Sequence, residues 1–99
     1  MALVGRQIRQ LRAIAHHLDS VVSIGKAGVT EGTAAQAIDC LEAHELVKCS
    51  VLDSSGLTAR EAAEQLAERC NAEIVQVIGR KFTLYRETSR TDVEKIQLV

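Results

Sequence analysis

Residues 21–31, Val21-Val22-Ser23-Ile24-Gly25-Lys26-Ala27-Gly28-Val29-Thr30-Glu31 (VVSIGKAGVTE), change character twice. Val21 to Ile24 is short and β-branched, a strand pattern that stops directly at Gly25. Thr30 is a good helix N-cap, and Glu31 places negative charge in the first turn, where the helix dipole favours it. Between them two glycines stand three apart around a lysine. Glycine is costly where a chain need only be regular, so this cluster implies backbone at φ > 0 or something pressed close against it. Gly32 is less telling, because a first helical turn tolerates glycine. The stretch reads strand, tight glycine turn, helix.

Upstream, residues 5–18 carry Ile8, Leu11, Ile14, Ala15 and Leu18 at the spacing of one helical face, with Arg9, Arg12 and His16 together on its flank. Downstream, the second helix runs to about His44 with Ala34, Ala37, Ile38 and Leu41 inward. Leu46 to Leu52 then alternates Val47, Cys49 and Val51 against Lys48 and Ser50, a strand. Asp53-Ser54-Ser55-Gly56 is turn chemistry. Thr58 and Glu61 form a capping box for a third helix through Ala59, Ala62, Ala63, Leu66 and Cys70, which Asn71 can end in a left-handed conformation. Ile74 to Ile78 and Phe82 to Arg86 are β-type runs joined as a hairpin by Gly79-Arg80-Lys81. The order αβαβαββ predicts an α/β (α+β) domain. Its strand-helix-strand unit favours parallel pairing, which gives a mixed four-stranded sheet with helices packed on it.

A chain of 99 residues fits one compact domain over 1–99, with a polar tail from about Glu87. The aromatics are only Phe82 and Tyr85, so the core must be built from aliphatic and alanine side chains. Phe82 reads as core, and Tyr85, on the other strand face, as packed. No apolar run approaches the roughly 20 residues of a membrane span, and residues 1–5 lack the order of a secretory signal. A soluble cytoplasmic protein with no membrane partner is expected. Cys40, Cys49 and Cys70 are odd in number and widely spaced, so neither a disulfide framework nor a zinc site is indicated.

Net charge is −1, but its distribution is uneven. Residues 1–28 hold four basic side chains against one acidic, residues 29–75 three against nine, and residues 76–99 five against three. His16, His17 and His44 find no partners at metal-ligand spacing, and no Ser, Cys or Lys stands in an activating context. The carboxylates lie at solvent-facing spacing along the second and third helices. No catalytic residue, metal, cofactor or small-molecule substrate is therefore expected, and the protein is not predicted to be an enzyme.

The glycine turn fits neither the nucleotide-binding P-loop nor the dinucleotide fingerprint, whose glycine spacings differ. It does fit the shorter Gly-x-x-Gly clamp. There bare backbone approaches a nucleic-acid strand, and the following helix N-terminus offers amides to phosphate. A tight strand-to-helix turn with an exposed lysine fits the same residues. Joined to "LRAIAHHLDSVVSIGKAGVTEG", "LEAHELVKCSV" and "VQVIGRKFTLYR", however, the loop resembles the CRM domain family (chloroplast RNA splicing and ribosome maturation), in its bacterial single-domain, YhbY-like form. The resemblance implies an αβαβαββ fold similar to the C-terminal domain of translation initiation factor three. It also implies binding of structured RNA, for bacterial members ribosomal RNA in precursors of the large subunit (pre-50S particles), in support of ribosome assembly. The family's KH-like loop falls on Gly25, Lys26, Ala27 and Gly28.

The expected RNA contacts are the loop with Thr30, the basic flank Arg9 and Arg12, and the hairpin residues Arg80, Lys81 and Arg86. A rival expectation is a protein-interaction adaptor whose acidic middle helices dock a basic partner.

Overall fold

The computed structural model describes residues 3–99; Met1 and Ala2, the start of the segment read as lacking a leader, lie outside the described residues. The elements are α1 (Gly5–Ala15), β1 (Val22–Ile24), α2 (Glu31–His44), β2 (Leu46–Val51), α3 (Ala59–Cys70), β3 (Glu73–Ile78) and β4 (Lys81–Tyr85). They form one four-stranded sheet in the order β1-β2-β4-β3, with β1 and β2 parallel and the other pairs antiparallel. This is the expected mixed α+β architecture. Among the described residues, no helix is long and apolar enough to cross a membrane.

On one face of the sheet α2 and α3 cover Val22, Ile24, Val47, Cys49, Val51, Phe82 and Leu84. The helices present mainly Ala34, Ala37, Ala59, Ala62, Ala63 and Ala67, with Leu41 and Leu66 as the larger knobs. Small side chains let a helix lie close on a β-branched sheet, so a core with one phenylalanine can still be filled. Hydroxyl caps start both helices. Thr33 N donates to Thr30 Oγ1 at 3.2 Å, and Glu61 N to Thr58 Oγ1 at 3.0 Å, with Thr58 N donating back to Glu61 Oε1 at 2.9 Å. Both end on left-handed residues, Glu45 at φ 65° and the anticipated Asn71 at φ 54°.

The opposite face is only half covered. Leu11 of α1 packs on Leu46, Val75 and Tyr85 there, with Ile8, Ile96 and Leu98 alongside. Strand β3 carries a register shift between Ile74 and Gln76. Because of this bulge, Ile74 and Val77 both face the main core although three residues apart, while Val75 joins the second cluster.

Two expectations are corrected. The first helix ends at Ala15 rather than near 18, and Ile14 and Leu18, expected inward, are exposed. Lys48 Nζ donates to the Ala15 carbonyl at 3.3 Å, which caps the helix from the sheet. The segment from Glu87, read only as a polar tail, is part of the packed structure. Fully buried Glu45 accepts from Thr88 N through Oε2 and from Ile96 N through Oε1, both at 2.7 Å. Glu42 accepts from Thr88 Oγ1, Ser89 N and Ser89 Oγ, and Gln10 Nε2 donates to Gln97 O at 2.7 Å. Buried or half-buried carboxylates are tolerated here because amides and hydroxyls satisfy them.

Candidate functional site

The glycine loop is a four-residue turn. Gly28 N donates to Gly25 O at 2.8 Å, leaving Lys26 and Ala27 exposed at the two central positions. Gly28 is left-handed, at φ 71°. Gly25 is not in that region, and a Cβ there would make an ordinary 3.7 Å contact with Leu52 Cδ1. Backbone geometry thus accounts for Gly28, and neither conformation nor packing accounts for Gly25. The Thr30 hydroxyl is engaged in its cap, so Thr30 acts on the site by setting the direction of the first-turn amides of α2.

Strand register brings this loop to the hairpin. Ile24 pairs with Val51, Leu52 N donates to Ile24 O at 2.9 Å, and Val51 N donates to Arg80 O at 2.7 Å. Residues 25–28, the segment after β2 and the β3–β4 turn therefore share one end of the sheet. That turn is shorter than expected. Lys81 already pairs with Ile78, leaving Gly79 and Arg80 as a two-residue loop with Gly79 at φ 57° in its first position.

Beside the loop lies the uncovered half of the second sheet face. Two cross-strand rows floor it: Lys48, Thr83 and Gln76, then Ser23, Ser50, Lys81 and Ile78. Helix α1 forms its wall, anchored where Arg12 Nε donates to the carbonyl of bulge residue Val75 at 3.4 Å. The resulting groove holds about 350 Å³ between Arg12, His16, Lys48, Lys81, Gln76 and Thr83, and no carboxylate lines it.

The carboxylates of Asp53, Glu42 and Glu87 lie within 4 Å of Arg80, Arg86 and Lys95 respectively. Among the described residues, Arg9, Arg12, Lys26, Lys48 and Lys81 have no such partner, and neither do Arg6, Arg60, Arg69 and Arg90, so it is position rather than lack of a partner that sets the first five apart. Arg80 stands at the loop end, but its guanidinium donates to the carbonyls of Val51 at 3.1 Å, Leu52 at 3.1 Å and Leu57 at 3.2 Å. Arg86 was expected exposed in the hairpin; it is half-buried past the far end of β4, where it donates to Cys70 O at 2.8 Å and faces Glu42 at 3.4 Å. The structure thus gathers Arg9, Arg12, Lys26 and Lys81 on the α1 side and loop end and leaves Arg86 elsewhere. Sequence reasoning did not single out Lys48, Thr83 or Gln76. The β2 alternation had put Lys48 on the polar face, but only cross-strand register aligns the three.

Other candidate chemistry is placed as follows. Burial pushes the Cys49 thiol up to about 12, with the neighbouring Cys40 and Cys70 adding to it, so its nucleophilic thiolate form is suppressed. His16 and His17 meet edge to face at 5.4 Å. Among the described residues, no three His, Cys, Asp or Glu side chains converge on a metal position. Tyr85 is buried in the second cluster, and burial raises its hydroxyl above the ordinary range.

Comparison with known proteins covers nearly all of this framework. The chain is 40% identical over 86 residues to the Bacillus subtilis "Probable RNA-binding protein YqeI", spanning 87% of this chain and 90% of the relative. It is 33% identical over 89 residues to a Haemophilus influenzae "RNA-binding protein", spanning 90% of each. A Staphylococcus aureus solution structure, of a hypothetical protein described as a candidate RNA binder, superposes with a TM-score of 0.72 at 38% identity. That match covers 96% of this chain and 100% of the other. The CRS1/YhbY (CRM) domain matches residues 3–86, which takes in the glycine loop, the half-open sheet and the hairpin, and the chain belongs to that family.

Proposed function

We propose that this protein binds RNA by its backbone and shape, along a track from α1 across the open sheet half to the glycine loop. The observation that carries this reading is the placement of Arg12, Lys48 and Lys81 on a groove that no carboxylate lines, with Arg9 on the same flank of α1 and Lys26 exposed at the adjoining loop. Cations left unneutralised in this way release counterions when phosphate replaces water and salt around them. Amides at the loop and in the first turn of α2 add fixed donors for a phosphate. The names of the relatives, as RNA-binding proteins, support the same ligand class. Binding of this kind is noncovalent and requires no cofactor, so the protein acts as a binding module and not as an enzyme.

We further infer, from the family resemblance, that the RNA is ribosomal and that the protein works in the cytoplasm by holding large-subunit precursors during assembly. Sedimentation of a cell lysate at low salt tests this. The protein should travel with large-subunit precursors, and crosslinking followed by sequencing should recover large-subunit ribosomal RNA. A protein that stays at the top of the gradient and recovers no RNA would instead support the adaptor reading, in which the exposed carboxylates of α2 and α3 dock a basic partner.

A further inference from the structure

The groove floor holds more than charge. Thr83 lines the groove, and its hydroxyl is not engaged by another group among the described residues. The side-chain amide of Gln76, directly opposite it in the β3–β4 register, is also without a partner there. Polar groups at a groove floor that the fold itself leaves unengaged can be taken up by a ligand's donors and acceptors. Around this pair stand Arg12, Lys48 and Lys81. Lys48 gives one donor to Ala15 O and Arg12 gives its Nε to Val75 O, which fixes both side chains at the rim with further donors free.

From this arrangement, and resting on the RNA reading above, we infer that the groove receives one unstacked nucleotide. Its base edge meets Gln76 and Thr83, and its phosphate meets Lys48, Lys81 and Arg12. The size agrees: about 350 Å³ is at the low end of small-ligand pockets and gives room for one nucleotide unit. The chemistry agrees as well. A primary amide offers a donor and an acceptor side by side, which matches the edge of an unpaired base, and a hydroxyl serves as either. Phe82 and Tyr85 are both buried, so an aromatic platform is not available. The His16 ring at the groove wall is the group that can lie over the base.

The test uses three RNAs on the full chain: a hairpin with a fully paired stem, the same hairpin with one nucleotide bulged from the stem, and a single strand. The parent protein should prefer the bulged and single-stranded RNAs over the paired stem by about tenfold, the scale of one or two buried hydrogen bonds. Thr83→Val and Gln76→Leu, which keep shape and remove only the hydrogen-bonding groups, should abolish that preference by bringing the bulged and single-stranded RNAs down to the level of the paired stem. Thermal unfolding confirms that both variants fold, and amide shifts of Thr83 and Gln76 in the parent report occupancy independently. Equal binding of all three RNAs by the parent, or a preference that survives both substitutions, overturns the nucleotide pocket while leaving RNA binding in place. No binding to any RNA at low salt overturns the RNA reading and this inference together.

Discussion

At Gly28 the left-handed backbone, φ 71°, makes any side chain costly, whereas at Gly25 an added Cβ meets only Leu52 Cδ1 at 3.7 Å in an ordinary conformation. The two glycines can therefore be separated experimentally. Gly28→Ala should destabilise by about 1–2 kcal/mol, the strain of a left-handed non-glycine residue, and lose RNA affinity along with stability. Gly25→Ala should move Tm by less than about 4 °C, yet weaken RNA binding severalfold if a strand lies against that backbone. Thermal unfolding and RNA titration of both variants decide the point, and a Gly25→Ala protein that binds like its parent would remove the close-approach role. Sequence alone showed that the loop was unusual. It did not show which glycine the fold requires, because that distinction lies in φ and in the position of Leu52.

Elements differed in how much they announced in advance, and the reason is the range of the interactions that define them. Helices α2 and α3 were legible in the Thr30 and Thr58 caps and the alanine-leucine spacing, all local signals. The docking of residues 87–99 was not legible, because it depends on two carboxylates more than 40 residues away, Glu42 and Glu45. The anchoring of the exposed Arg80 was not legible for the same reason. Its three backbone acceptors come from Val51, Leu52 and Leu57. Arg80→Ala should therefore cost about 1–2 kcal/mol by freeing those carbonyls, with little change in the salt dependence of binding. Lys81→Ala should do the reverse, leaving Tm in place and lowering the salt slope by about one unit. The tail has its own pH signature. The hydroxyl and amide of Ser89, then the Thr88 hydroxyl, and more weakly the Arg86 charge, hold the Glu42 carboxyl down at about 2 from an ordinary 4.5. A depressed carboxyl stabilises fully above its unfolded value and stops doing so as pH falls through its folded one. Exchange protection at the Ser89 amide, which donates to Glu42, should accordingly hold above pH 4.5 and decline progressively toward pH 2, before the α2–α3 core opens. Loss of protection already at neutral pH would mean that these contacts do not form in solution.

For the whole molecule, the net charge of −1 conceals two faces. Arg9, Arg12, Lys48 and Lys81 belong to the layer of α1 and the open sheet half, with Lys26 at the adjoining loop. Glu61, Glu64 and Glu68 are exposed on α3, in the helical layer across the sheet, and Glu42 and Glu45 are occupied by the tail. Short-range contact with phosphate depends on the first face, while the overall sum depends on both, and the Debye length of about 8 Å at physiological salt separates the two effects. If the five cations each neutralise one phosphate, log K should fall against log salt with a slope of about −3.5 for single-stranded RNA, approaching about −4.5 for a duplex. Arg9→Glu with Arg12→Glu should flatten that slope by about two units and weaken binding to every RNA tried. Glu64→Gln with Glu68→Gln raises the net charge by two without touching the cationic face, and should leave affinity and slope where they were. Were binding governed by net charge alone, the glutamine pair would tighten it. Measuring both double variants across a salt series therefore distinguishes a localised phosphate track from a diffuse electrostatic attraction, and tightening by the glutamine pair would count against the track.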